Sequence, residues 1–95
     1  MSVAHTIYNQ LGGKRFAFMT GSKNFANTGE GLQFRLSRNK TAANFCIISL
    51  NGNDLYNVEF VKAGKGYLRI STMVDVYADQ LQAIFTQVTG LYTSL

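Results

Sequence analysis

The chain has no proline and no tryptophan, one cysteine, one histidine and five acidic residues. Without proline, proline-rich linkers and polyproline ligand motifs are excluded. The lone cysteine, Cys46, cannot close an intramolecular disulfide, so a reducing compartment is the simplest setting. One cysteine and one histidine fall short of the ligand set of a typical zinc site. His5 is the sole candidate base for a Ser–His or Cys–His pair, and its place on the surface of a short helix gives it a plainer explanation. Of the acids Glu30, Asp54, Glu59, Asp75 and Asp79, two fall in turns and two at a helix start, and no pair stands out for glycosidase-type chemistry. Long apolar runs are missing as well. No stretch approaches the roughly 20 residues of a membrane span. The first eleven residues also lack the basic and apolar regions of a secretory signal. The expectation is a soluble, cytoplasmic, non-enzymatic protein without metal or cofactor.

What the chain does have is enough apolar side chain to fold. Of its 95 residues, 46% are hydrophobic and 15% charged. That composition can offset chain entropy in a single domain spanning residues 1–95. The formal charge of +4 is unevenly spread. Residues 14–40 hold six cations (Lys14, Arg15, Lys23, Arg35, Arg38, Lys40) against Glu30, whereas residues 41–95 hold three cations against four acids. A basic half attracts phosphates and releases their counterions. It also serves ordinary solubility.

Val3, Ala4, Ile7, Tyr8 and Leu11 share one face of a helix ending at Gly12-Gly13. Phe16, Phe18 and Thr20 alternate with Arg15, Ala17 and Met19, which reads as a strand. Residues 21–29, rich in Gly, Asn and Ser, read as a substantial loop. Leu32, Phe34 and Leu36 alternate with Gln33 and Arg35 in a second strand, and residues 44–50 (NFCIISL) form a central one that buries Cys46 as a small hydrophobe. Asn51-Gly52-Asn53 turns the chain into a strand with Tyr56, Val58 and Phe60 on one face. A second turn, Ala63-Gly64-Lys65-Gly66, leads to residues 67–71, with Leu68 and Ile70 on one side and Tyr67, Arg69 and Ser71 on the other. Beyond them the period becomes helical: Tyr77, Leu81, Ile84, Phe85 and Val88 form a core stripe, Thr72 or Asp75 is a candidate cap, and Gly90 closes the helix. The fold class is α+β, in the order α-β-β-β-β-β-α: an antiparallel sheet of about five strands with an N-terminal and a C-terminal helix packed on one face.

The other face is then open, and alternation assigns it Arg15, Met19, Gln33, Arg35, Tyr67 and Arg69. Arginines interleaved with an aromatic on a sheet suit single-stranded nucleic acid, whose phosphates meet guanidinium groups and whose bases stack on rings. Arg15, Arg35 and Arg69 are the candidate phosphate contacts and Tyr67 the stacking residue. Lys23 and Asn24 contribute from Thr20-Gly21-Ser22-Lys23-Asn24, a small-residue segment able to bind an anion or simply to turn. The Gly-Lys pairs at Gly13-Lys14 and Gly64-Lys65 do not fit the spacing of a phosphate-binding P-loop.

Two stretches, residues 11–25 (LGGKRFAFMTGSKNF) and 77–95 (YADQLQAIFTQVTGLYTSL), resemble a widespread family of small, largely uncharacterised proteins of tailed bacteriophages and prophages. LQFRL at 32–36 and YNVEF at 56–60 extend the likeness over most of the chain; Ser22, where the family has alanine, and a short segment at 37–44 depart from it. The resemblance implies a phage gene product acting in the cytoplasm of an infected bacterium. It brings no catalytic residues and no activity. An alternative to nucleic-acid binding is therefore an accessory protein that binds a host or phage protein. A homodimer formed through a sheet edge or the 91–95 tail is one version of it.

Overall fold

The structure is a computed structural model in which residues 2–93 are described. The chain runs α1 (Val3–Leu11), α2 (Gly13–Thr20), β1 (Lys23–Asn27), β2 (Gly31–Arg35), β3 (Phe45–Leu50), β4 (Tyr56–Ala63) and β5 (Tyr67–Val76), then a 3-10 turn (Ala78–Gln80) and α3 (Leu81–Thr89). The five strands pair only with their chain neighbours, in the order β1-β2-β3-β4-β5, and every pair is antiparallel. The α+β class, the five strands and the central place of residues 44–50 are as expected. The path into the sheet is not.

Residues 15–20, expected as a strand, form α2. The run is short enough for both periods to fit, and burial decides. Phe16 and Thr20, four apart and so on one helical face, are buried, whereas Phe18 is 85% exposed. Gly12 and Gly13, with φ of +123° and +62°, break the chain sharply between α1 and α2. The other end of α2 is held by hydroxyls: Thr20 Oγ1 donates to the Phe16 carbonyl (2.7 Å), Ser22 Oγ lies 2.7 Å from Thr20 Oγ1, and Ser37 Oγ donates to the Thr20 carbonyl (2.6 Å). The first strand comes instead from the expected loop at 21–29. Its turn-type residues are absorbed by a bulge between Lys23 and Ala26, where Asn24 sits at φ +58°. Phe25 points inward and stacks on Phe34 with ring centroids 5.1 Å apart.

The core lies between the sheet and all three helices. Ile7 and Leu11 of α1, Phe16 of α2, Phe34, Cys46, Val58 and Phe60 of the sheet, and Leu81 and Phe85 of α3 are buried together. Phe16 meets Phe85 edge-on at 4.9 Å and Phe34 at 5.6 Å. Each ring so buried contributes on the order of 1.5–3 kcal/mol, which is what holds short helices that are marginal alone.

β5 also departs from expectation. It continues past residue 71 to Val76, so Thr72 pairs with Glu59 and caps nothing. Asp75, at φ +56°, accepts from Asn51 (2.9 Å) and Asn53 (3.2 Å) rather than from a helix. Ile70 is an extra residue between the pairs Val61–Arg69 and Phe60–Ser71, so Ser71 turns to the helix side, away from Tyr67 and Arg69. Tyr77 leads into the 3-10 turn and is 59% exposed, so it is not part of the core stripe, whereas Leu81 and Phe85 are buried and Ile84 and Val88 half-buried. Gly90 closes α3 at φ +78° as expected. In the tail, Leu91 packs on the core, Tyr92 is exposed and Thr93 is buried; Ser94 and Leu95 lie outside the described residues.

Candidate functional site

With every helix on one side, the other side of the sheet is uncovered among the described residues, and strand register fixes which side chains share it. Directly opposed residues run Lys23, Arg35, Phe45, Val61, Arg69, one from each strand. The neighbouring row is Ala26, Gln33, Ile47, Glu59, Thr72. Tyr67 pairs with Ala63 at the end of β4 and stands 59% exposed beside the first row.

These residues make a face with an apolar middle and a basic rim. Gln33, Phe45, Ile47, Val61, Ala63 and Tyr67 line a shallow hollow of about 170 Å³. Val61, on its floor, is almost completely buried although no helix covers it. The Arg35 guanidinium carbon lies 5.7 Å from the centre of the Phe45 ring, a cation–π arrangement. Arg69 pairs with Glu59 at 3.3 Å, the one ion pair among the described residues. Lys23 and Arg35 face each other across β1 and β2, exposed and with no carboxylate in salt-bridge reach among the described residues.

Of the residues expected to form the site, Lys23, Arg35, Tyr67 and Arg69 come together on this face, with Gln33 between them. Asn24 is exposed in the adjoining bulge. Arg15 and Met19 do not belong to it. Both lie on α2, on the helix side of the sheet, because the segment that carries them is not a strand. Thr20 and Ser22 are buried, and their hydroxyls bond to each other at the end of α2.

Phe45, Ile47 and Val61 are members the sequence reading missed. Residues 44–50 are nearly continuously apolar, so alternation does not separate their two faces. The usable signal lay next door: Asn57 and Glu59 are polar and outward, and Val61 continues their spacing.

Elsewhere, His5 is exposed on α1, and its backbone N–H donates to the Ser2 hydroxyl that caps the helix (3.1 Å). Burial pushes the Cys46 thiol far above its ordinary value, which makes it a poor nucleophile. No helix among the described residues is long and apolar enough to cross a membrane. No family model, curated protein or solved structure matches the chain.

Proposed function

We propose that this chain is a non-enzymatic module that binds single-stranded or flexible nucleic acid across its open sheet face. The observation that carries the reading is the Lys23–Arg35 pair. Like charges directly opposed on a sheet destabilise it, and no acid among the described residues lies in salt-bridge reach to relieve them. A polyanion does: phosphates take the lysine and arginine as point-charge and forked donors.

The rest of the face supplies what phosphate contacts lack. Phe45 and Tyr67 offer rings for stacking, Ile47 and Val61 an apolar floor, and the Gln33 amide a donor and an acceptor for a base edge. Bases in a duplex are stacked and paired, so rings on a sheet favour single strands. The likeness to small tailed-phage proteins supports a setting in the cytoplasm of an infected bacterium.

The test is fluorescence anisotropy of labelled single- and double-stranded oligonucleotides over a salt series, with wild type and a Lys23→Ala/Arg35→Ala variant. The expected result is preference for the single strand, steep loss of affinity with salt, and a slope shallower by about 1.4 in the variant, or roughly 0.7 per lost phosphate contact. Absence of binding at low salt would reject the proposal.

A protein partner is the second reading. It draws on Tyr67, Leu68, Val74 and Tyr77, four exposed apolar side chains on or just beyond the edge strand β5. Its mark in solution is association that salt hardly changes.

A further inference from the structure

We infer that the β4–β5 hairpin is the second half of this site: a glycine-hinged finger whose Lys65 takes a phosphate next to a base held in the hollow of the sheet. The inference rests on the nucleic-acid reading above. The tip, Gly64-Lys65-Gly66, is closed by a hydrogen bond from the Gly64 N–H to the Gly66 carbonyl (3.1 Å). A hollow of about 500 Å³ lined by residues 62–68 shares Ala63 and Tyr67 with the hollow on the sheet face. Tyr67 thus stands between an apolar recess fit for a ring and a turn that carries a cation.

Glycine is not required at the tip by geometry. Gly64 and Gly66 both lie outside the left-handed region, and a side chain on either would meet nothing within 4 Å. Gly21, by contrast, sits at φ +71°, and a Cβ on Gly31 would come 1.8 Å from the Ile48 carbonyl oxygen. Gly52, in the hairpin at the other end of the sheet, is equally unconstrained but flanks no cation. What glycine adds at residues 64 and 66 is backbone freedom at a cost in folding entropy.

That freedom surrounds an exposed lysine with no carboxylate in salt-bridge reach among the described residues. An ammonium on a long stem suits a moving phosphate contact better than a rigid fork does. The ligand unit is then one nucleotide: its base stacks against Tyr67 over Val61, and its phosphate lies on the hairpin side, where Lys65 closes on it.

The experiment uses anisotropy with a labelled oligothymidylate of about ten nucleotides. Wild type, Lys65→Ala and Gly64→Ala/Gly66→Ala are compared over a salt series, and melting temperatures are measured alongside. Lys65→Ala is expected to weaken binding and flatten the salt slope by about 0.7. The double glycine variant is expected to melt at a higher temperature yet bind several-fold more weakly, whereas a purely structural role would move both in the same direction. Wild-type binding with an unchanged slope in Lys65→Ala, or with undiminished affinity in the glycine variant, overturns the finger alone. No wild-type binding at low salt overturns the parent reading, and the finger with it.

Discussion

Glu59 is the acid of the basic face, and removing its charge should strengthen binding. Its Oε1 lies 3.3 Å from the Arg69 guanidinium, with the two side chains 26% and 58% exposed. Glu59→Gln keeps the length and one carbonyl oxygen but frees Arg69 for a phosphate. One added phosphate contact steepens the dependence of log K on log salt by about 0.7 for a single strand. If that contact adds nothing at about 1 M salt, the roughly 1.3 decades down to 50 mM make the variant about eightfold tighter. The fold should barely register the change, since exposed ion pairs of this kind contribute about 0–1 kcal/mol. Anisotropy titrations at several salt concentrations, with urea unfolding as control, provide the assay. Parallel salt plots for the two proteins, or weaker binding by the variant at equal stability, would refute the idea that Glu59 restrains a phosphate-binding arginine.

Three further predictions concern the fold. Phe18→Ser should change stability by less than about 0.5 kcal/mol because the ring is exposed on α2; a loss of about 3 kcal/mol or more in urea unfolding would mean the segment is a strand with Phe18 inside. Gly31→Ala should cost at least about 3 kcal/mol, since its Cβ would lie 1.8 Å from the Ile48 carbonyl oxygen, a backbone atom that cannot move aside without opening the β2–β3 ladder. Cys46 should resist a thiol reagent until the chain unfolds. Because burial raises the folded thiol, only the unfolded chain releases the proton: that group's contribution to stability is complete below about pH 8.5 and is lost as pH rises above it. A urea midpoint that climbs from pH 8 to 10 in wild type relative to Cys46→Ala would contradict this.

The sheet from β2 onward was legible because β2 and β4 alternate, β3 is a near-continuous apolar run, and the two hairpin turns after it have clear chemistry. Leu32 and Phe34 against Gln33 and Arg35, and the Asn51-Gly52-Asn53 turn, carry their own instructions. Beyond α1, which ends at Gly12 as expected, residues 13–30 were harder. Arg15 to Thr20 fits both periods, and only the tertiary partners of Phe16, which are Phe34 and Phe85, select the helix. That choice moves Arg15 off the sheet and promotes Lys23 to its edge strand.

Local bulges hid the remainder. An extra residue at Asn24 turns Phe25 inward, and one at Ile70 keeps Arg69 on the open face while sending Ser71 to the other. Alternation counted through either position assigns the wrong side. The apolar middle of the site was masked for a different reason: in residues 44–50 both faces are apolar, one for the core and one for the hollow.

The most direct measurement of the central claim is a backbone amide NMR titration of the chain with a single-stranded oligonucleotide at low salt. Binding across the open face predicts shifts clustered at Lys23, Gln33, Arg35, Phe45, Ile47, Val61, Tyr67 and Arg69, with α1, α2 and α3 little changed. Shifts confined to the helices, or none at saturating oligonucleotide, would contradict it.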